Sequence, residues 1–124
     1  MTPFPEAPGP ASVPGDVDDG GIAVSRRSND DGAVVSIGGE LDIVSAPRLR
    51  GALVEALAAC EGGGRLVLDL SEVTFCDSTG LNTLLRAWRR AVSDHRFLVI
   101  RAASPQVTHL LEVTGAAHLF ADTA

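Results

Sequence analysis

Lysine is missing from the 124-residue chain, whose ten basic residues are all arginine. A Walker-type phosphate loop needs that lysine, so Gly62-Gly63-Gly64 reads as a flexible helix-to-strand turn and not as a nucleotide cradle. Cysteine is scarce. Cys60 and Cys76 lack any metal or redox spacing, and together with three isolated histidines they form no recognisable ligand set. Buried free thiols, no metal and no cofactor are the expectation. No apolar run approaches the ~20 residues that a membrane helix needs, and the N-terminus has neither a positive leader nor a hydrophobic h-region. A cytoplasmic protein without membrane contact is expected. Positive charge is also short, with sixteen acids giving a net charge of -6 and a pI near 4.8. That is the wrong sign for a nucleic-acid partner and favours basic partners or none. Finally, the Gly-x-Ser-x-Gly elbow is absent. Ser78 beside Asp77, with His95, His109 or His118 elsewhere, therefore lacks the setting of a hydrolase nucleophile, and the chain reads as a non-enzyme.

What is present suits one globular domain with a tail. Hydrophobic residues make up 45% and charged residues 21%, enough for a real core. Five of the seven prolines fall in the first fourteen residues, among glycines and Asp16, Asp18 and Asp19. Residues 1–20 are accordingly expected to be a disordered arm, and residues 21–124 the domain. Residues 1–31 hold six acids against two arginines, so most of the net charge lies at that end. A solvated tail and a binding segment both fit it.

From Gly21 the patterning is regular. Ile22–Arg27 and Ala33–Ile37 read as a hairpin around a polar turn, followed by a tight exit at Gly38-Gly39-Glu40-Leu41-Asp42. Ser45 and Pro47 open a helix along Leu49, Leu53, Leu57 and Cys60, with Ser45 as its cap. Arg65–Leu70 has the length and apolarity of a buried strand. A helix follows Asp77 through Leu81, Leu84, Leu85, Trp88 and Val92; Arg96–Arg101 is the next strand. Ser104-Pro105 opens a helix ending at Gly115, and His118–Ala121 is expected as a last short strand. The order β-β-α-β-α-β-α-β predicts an α/β fold, one mixed sheet with packed helices and right-handed crossovers.

Asp77-Ser78-Thr79-Gly80 stands where a buried strand gives way to a helix, a place that collects free amides and the positive end of the helix dipole. Local sequence allows two compatible readings. Asp77 or Ser78 caps the helix, or the Ser78 hydroxyl is presented as a phosphoacceptor where a phosphate is tolerated.

Several fragments, in order and at suitable spacing, resemble the STAS domain of bacterial anti-sigma factor antagonists. They are Gly39-Glu40-Leu41-Asp42, Ser45-Ala46-Pro47-x-Leu49, Leu66-Val67-Leu68-Asp69-Leu70, Val73-x-Phe75-x-Asp77-Ser78-Thr79-Gly80-Leu81, Ser104-Pro105-x-Val107 and Leu110-Leu111-x-x-x-Gly115. The resemblance spans about residues 21–121. It implies that Ser78 is phosphorylated by a partner anti-sigma factor serine kinase using ATP and restored by a PP2C-type phosphatase. It further implies partner switching, in which the unphosphorylated form binds the kinase and releases the sigma factor. Asp77, Thr79 and Gly80 would shape the loop, with Glu40 and Asp42 bordering the same surface. A non-switching STAS module, binding a ligand or serving as an accessory subunit, is the alternative. The chain departs from the family pattern at Asn82, where a glycine is common, and at Asp94-His95, where a glycine usually precedes the next strand.

Overall fold

Alternation carries the first strands further than their apolar residues suggest. In the computed structural model, which describes residues 21–29, 32–60 and 64–121, β1 (Ile22–Asn29) pairs antiparallel with β2 (Gly32–Leu41). The expected arm, residues 30 and 31 of the hairpin turn, and residues 61–63 lie outside the described residues. Helix α1 (Ala46–Ala59) leads to β3 (Arg65–Cys76), α2 (Ser78–Ser93) to β4 (Phe97–Ala103), and α3 (Pro105–Val113) to a short 3-10 helix (Ala117–Phe120).

The sheet order is β1-β2-β3-β4, with β3 parallel to both β2 and β4. Two parallel joins that advance in one direction, each crossing over right-handedly, place α1 and α2 on the same face. Leu66, Leu68 and Leu70 alternate along β3 toward that face and are fully buried with Leu49 and Leu53 of α1 and Leu84 of α2. The mixed α/β architecture read from the sequence is the one observed.

Three details differ from expectation. Strand β2 does not end at Ile37; it continues through Gly38 and Gly39 to Leu41, with register slips between Ser36 and Gly38 and between Gly39 and Glu40. The bulges absorb extra residues, so what reads as a tight exit remains in the sheet. Strand β3 likewise runs on past Leu70 to Cys76. The strand expected at His118–Ala121 is not formed. Its place is taken by the 3-10 helix, in which the Leu119 N–H donates to the Ala116 carbonyl at 3.0 Å. Four residues are too few for periodicity to separate a strand from a turn, and burial of the Phe120 ring, 1% exposed, decides the outcome.

Helices α2 and α3 end in the same way with different residues. In α3, Ala116 N–H donates to the Leu111 carbonyl at 2.9 Å and Gly115 N–H to that of Glu112 at 3.2 Å, with Gly115 at φ 75°. In α2, Arg96 N–H donates to the Ala91 carbonyl at 2.8 Å and His95 N–H to that of Val92 at 3.1 Å, with His95 at φ 60°. Both are Schellman closures, which need one left-handed residue, usually glycine. His95 fills that role despite its Cβ.

A left-handed conformation costs a non-glycine residue about 1–2 kcal/mol, part of which glycine's greater unfolded-state entropy offsets. His95→Gly is therefore expected to raise stability by about 0.5–1 kcal/mol. Urea unfolding checks it; an unchanged or lowered midpoint contradicts the strain.

Candidate functional site

The C-terminal ends of β2 and β3 lie side by side, Leu41 opposite Cys76, and the chains are tied beyond the ladder by Asp77 N–H donating to the Leu41 carbonyl at 3.1 Å. Glu40 is exposed at the end of β2, across from Phe75. Asp42 opens the following turn, where its Oδ1 accepts from the N–H of Val44 at 3.0 Å and of Ser45 at 3.1 Å. Ser45 is buried, but it does not cap α1 as expected. Its backbone is already in the helical region, so its hydroxyl turns back to the strand end, donating to the Glu40 carbonyl at 2.6 Å and accepting from Asp42 N–H at 3.0 Å.

Asp77 occupies the cap of α2 in extended conformation. Its Oδ1 accepts from Thr79 N–H at 2.9 Å and Gly80 N–H at 3.1 Å. The capping role is thus taken by the carboxylate. Ser78, the first helical residue, is exposed, and its hydroxyl has no hydrogen-bond partner among the described residues. Of the two local readings, capping falls to Asp77 and leaves the Ser78 hydroxyl available for chemistry. Thr79 is half-buried, its carbonyl accepting from Thr83 Oγ1 at 3.0 Å.

Gly80 explains how the helix comes so close. A Cβ at this position would stand 2.5 Å from the Leu41 carbonyl oxygen and 3.0 Å from Cys76 Sγ. Any side chain would lift the first turn of α2 off the two strand ends. Cys76 is buried beneath that turn; burial, with the Asp77 carboxylate adding in the same direction, pushes its thiol up to about 11. It stays neutral at physiological pH. Any stability it contributes is present below its ordinary value and drains as pH climbs from about 9 toward 11.

Gln106 was not among the residues singled out in the sequence. It stands at the unspecified position of Ser104-Pro105-x-Val107 and clamps the Cys76 backbone: its Oε1 accepts from Cys76 N–H at 2.8 Å and its Nε2 donates to the Cys76 carbonyl at 2.8 Å. A long-range contact across 30 residues leaves no local signal beyond a polar residue in the first turn of a helix.

Ser78 and Thr79 open onto a groove of about 890 Å³ between α1 and α2. Apolar side chains, among them Ile43 and Val54, share its wall with Arg50, Arg86 and Arg90. Ile43 and its neighbour Val44 are 74% and 70% exposed at the turn before α1. The net charge of -6 predicts basic partners or none, yet three arginines line this groove. Overall charge cannot report which end or face carries the sign. His95 does not join Ser78: it lies beyond the far end of this 16-residue helix, roughly 24 Å long at 1.5 Å per residue.

Comparison with known proteins finds relatives over most of the described residues. The family model described as "Mlab, STAS domain" matches residues 24–121. The anti-sigma-B factor antagonist of Bacillus subtilis is 32% identical over 94 residues, covering 76% of this chain and 84% of that protein. The anti-sigma-F factor antagonist RsfB of Mycobacterium tuberculosis is 35% identical over 83 residues, covering 67% of this chain and 66% of that one. Among solved structures, an anti-sigma factor antagonist from Mycobacterium paratuberculosis superimposes with a TM-score of 0.68 at 31% identity, over 80% of this chain and 82% of that one.

The division of labour in the loop sets an order of stabilities. Ser78→Ala removes no bond of the cap and is expected to stay within about 0.5 kcal/mol of the parent, whereas Asp77→Ala loses about 0.5–2 kcal/mol. Gly80→Ala overpacks the strand ends and is expected to cost about 1–3 kcal/mol. Denaturant titration of the three variants checks the order; a Ser78→Ala loss as large as that of Asp77→Ala contradicts it.

Proposed function

Because the chain belongs to the STAS domain family, we propose that it is an anti-sigma factor antagonist controlled by phosphorylation of Ser78. The unphosphorylated protein binds an anti-sigma factor serine kinase, which then releases its sigma factor; the kinase transfers phosphate to Ser78 and the complex separates; a PP2C-type phosphatase restores the binding form. The protein acts as a binding partner and substrate, not as an enzyme. The relatives' names support the antagonist role. The observation that carries the switch is the exposed Ser78 hydroxyl at the first position of α2, without a hydrogen-bond partner among the described residues because Asp77 does the capping.

Physical chemistry favours a switch at this point. A phosphate adds about -1.5 to -2 charge and bulk in the middle of a docking face, and a loss of about 3 kcal/mol weakens binding roughly a hundredfold. The amino end of α2 steadies the same phosphate in the free domain, so modification blocks docking without unfolding. Asp77 and Gly80 hold the loop, Thr79 stands next to the acceptor, and Glu40 and Asp42 border the docking face from the end of β2. Exposed Ile43 and Val44 extend that face with apolar surface.

Incubation with an anti-sigma factor kinase and ATP is expected to place one phosphate on Ser78, located by mass spectrometry, and Ser78→Ala is expected to abolish it. In kinase binding, the parent and Ser78→Ala should be tight, Ser78→Asp and Ser78→Glu weaker, and phosphoserine weakest, since a carboxylate brings one charge and no tetrahedral group. Labelling undiminished in Ser78→Ala would move the acceptor to Thr79. Equal binding of modified and unmodified protein would favour a non-switching STAS module.

A further inference from the structure

Helix α2 carries a second uncommitted polar group on the face that bears Ser78. Asn82 stands four residues further on, is exposed, and lines the same groove. Residues four apart on a helix are neighbours, with Cβ atoms about 5–6 Å apart, and helical side chains lean back over the turn that precedes them. The adjacent position shows this reach directly: Thr83 Oγ1 donates to the Thr79 carbonyl, four residues back, at 3.0 Å. With the same lean, Asn82 covers the turn that starts at Ser78. Its carboxamide makes no hydrogen bond among the described residues.

A phosphate on Ser78 changes what that carboxamide meets. The phosphate oxygens extend beyond Oγ, into space that a side chain on the next turn reaches, and they carry about -1.5 to -2 charge. Hydrogen bonds to an ionised acceptor are roughly twice as strong as neutral ones. The amides of Thr79 and Gly80 cannot supply them, because both already donate to Asp77 Oδ1. A carboxamide has two N–H donors, and those of Asn82 are unspent. The charged groups at this end are mixed in sign: Asp77 at the cap, Glu40 and Asp42 at the end of β2, and Arg50 from α1 in the groove wall. Asn82 differs from all of them in standing on the helix of Ser78 itself, one turn on.

We propose that Asn82 is a positioning residue for the modified loop, its Nδ2–H donating to the phosphate on Ser78 and holding that group over the first turn of α2. This rests on Ser78 as the phosphoacceptor, and it gives Asn82 a role that only the phosphorylated protein uses. Held in this way, the phosphate keeps one place on the docking face instead of swinging into solvent. The donor also favours the dianion over the monoanion, so the contact is readable in the ionisation of the phosphate.

Full-length protein with phosphoserine placed at position 78 during synthesis, by suppression of a stop codon, needs no kinase. Its phosphorus NMR signal follows the second ionisation of the phosphate in the parent, Asn82→Ala, Asn82→Gln and Asn82→Asp. The midpoint is expected about 0.2–0.4 pH unit lower in the parent than in Asn82→Ala, the size that an exposed i, i+4 pair supports. Alanine is the better helix former, so that variant keeps the fold. Asn82→Gln, which retains the carboxamide, should recover most of the difference, and Asn82→Asp, which sets a like charge there, should lie above Asn82→Ala. The Asn82 side-chain amide signals should move with the same midpoint in the phosphorylated protein and stay still in the unmodified one. Equal midpoints in the parent and Asn82→Ala, or in Asn82→Gln and Asn82→Ala, would overturn the proposal. Kinase labelling at a residue other than Ser78 would remove the phosphoacceptor reading and leave this titration unchanged, so the two failures are told apart.

Discussion

One hydrogen bond fixes the geometry on which everything else depends: Asp77 N–H to the Leu41 carbonyl. It joins the two parallel strands just where their ladder ends and sets the direction in which the chain turns into α2. The same residue then uses its carboxylate to hold the next amides, so a single aspartate both finishes the sheet and starts the helix. Gly80 is the steric condition for this arrangement. Without a Cβ, the first turn of α2 rests on the Leu41 carbonyl and on Cys76. The exposure of Ser78 is a consequence of these two neighbours and not a property of serine.

The turn after β2 repeats the logic, again with an aspartate. There Asp42 gathers the amides of Val44 and Ser45, and the buried Ser45 hydroxyl ties that turn back to Glu40. Two short polar networks thus stand side by side at one end of the sheet, each closing backbone groups that the ladder leaves open. Apolar Ile43 and Val44 project from one, Ser78 from the other. Both networks hold backbone, so what each loop presents outward is set by the side chains that project from it.

Much of this was legible in the sequence. Alternation of Leu66, Leu68 and Leu70, helical spacing from Leu81 to Val92, and the Asp-Ser-Thr-Gly turn identify strand, helix and junction from local chemistry. What was not legible depends on distance. The extension of β2 through Gly38 and Gly39 rests on bulges imposed by β3, and the 3-10 helix at Ala117–Phe120 on a core that accepts the Phe120 ring. The departure at Asp94-His95 was visible, but only the fold shows that His95 occupies a left-handed position. The groove collects arginines from α1 and α2, far apart in sequence, inside a chain whose summed charge has the opposite sign.

Strand β4 gives out at Ala103, level with Leu70, while β3 continues to Cys76. From Ser71 onward β3 therefore has a flank without a strand partner among the described residues, a row of backbone groups of the kind onto which a foreign strand can add itself. At its end the Gln106 amide offers Cys76 the donor and acceptor that a neighbouring strand would have supplied. A single side chain thus stands in for one residue of a missing strand, and β3 can run to its last residue with its backbone paired there although β4 has already ended.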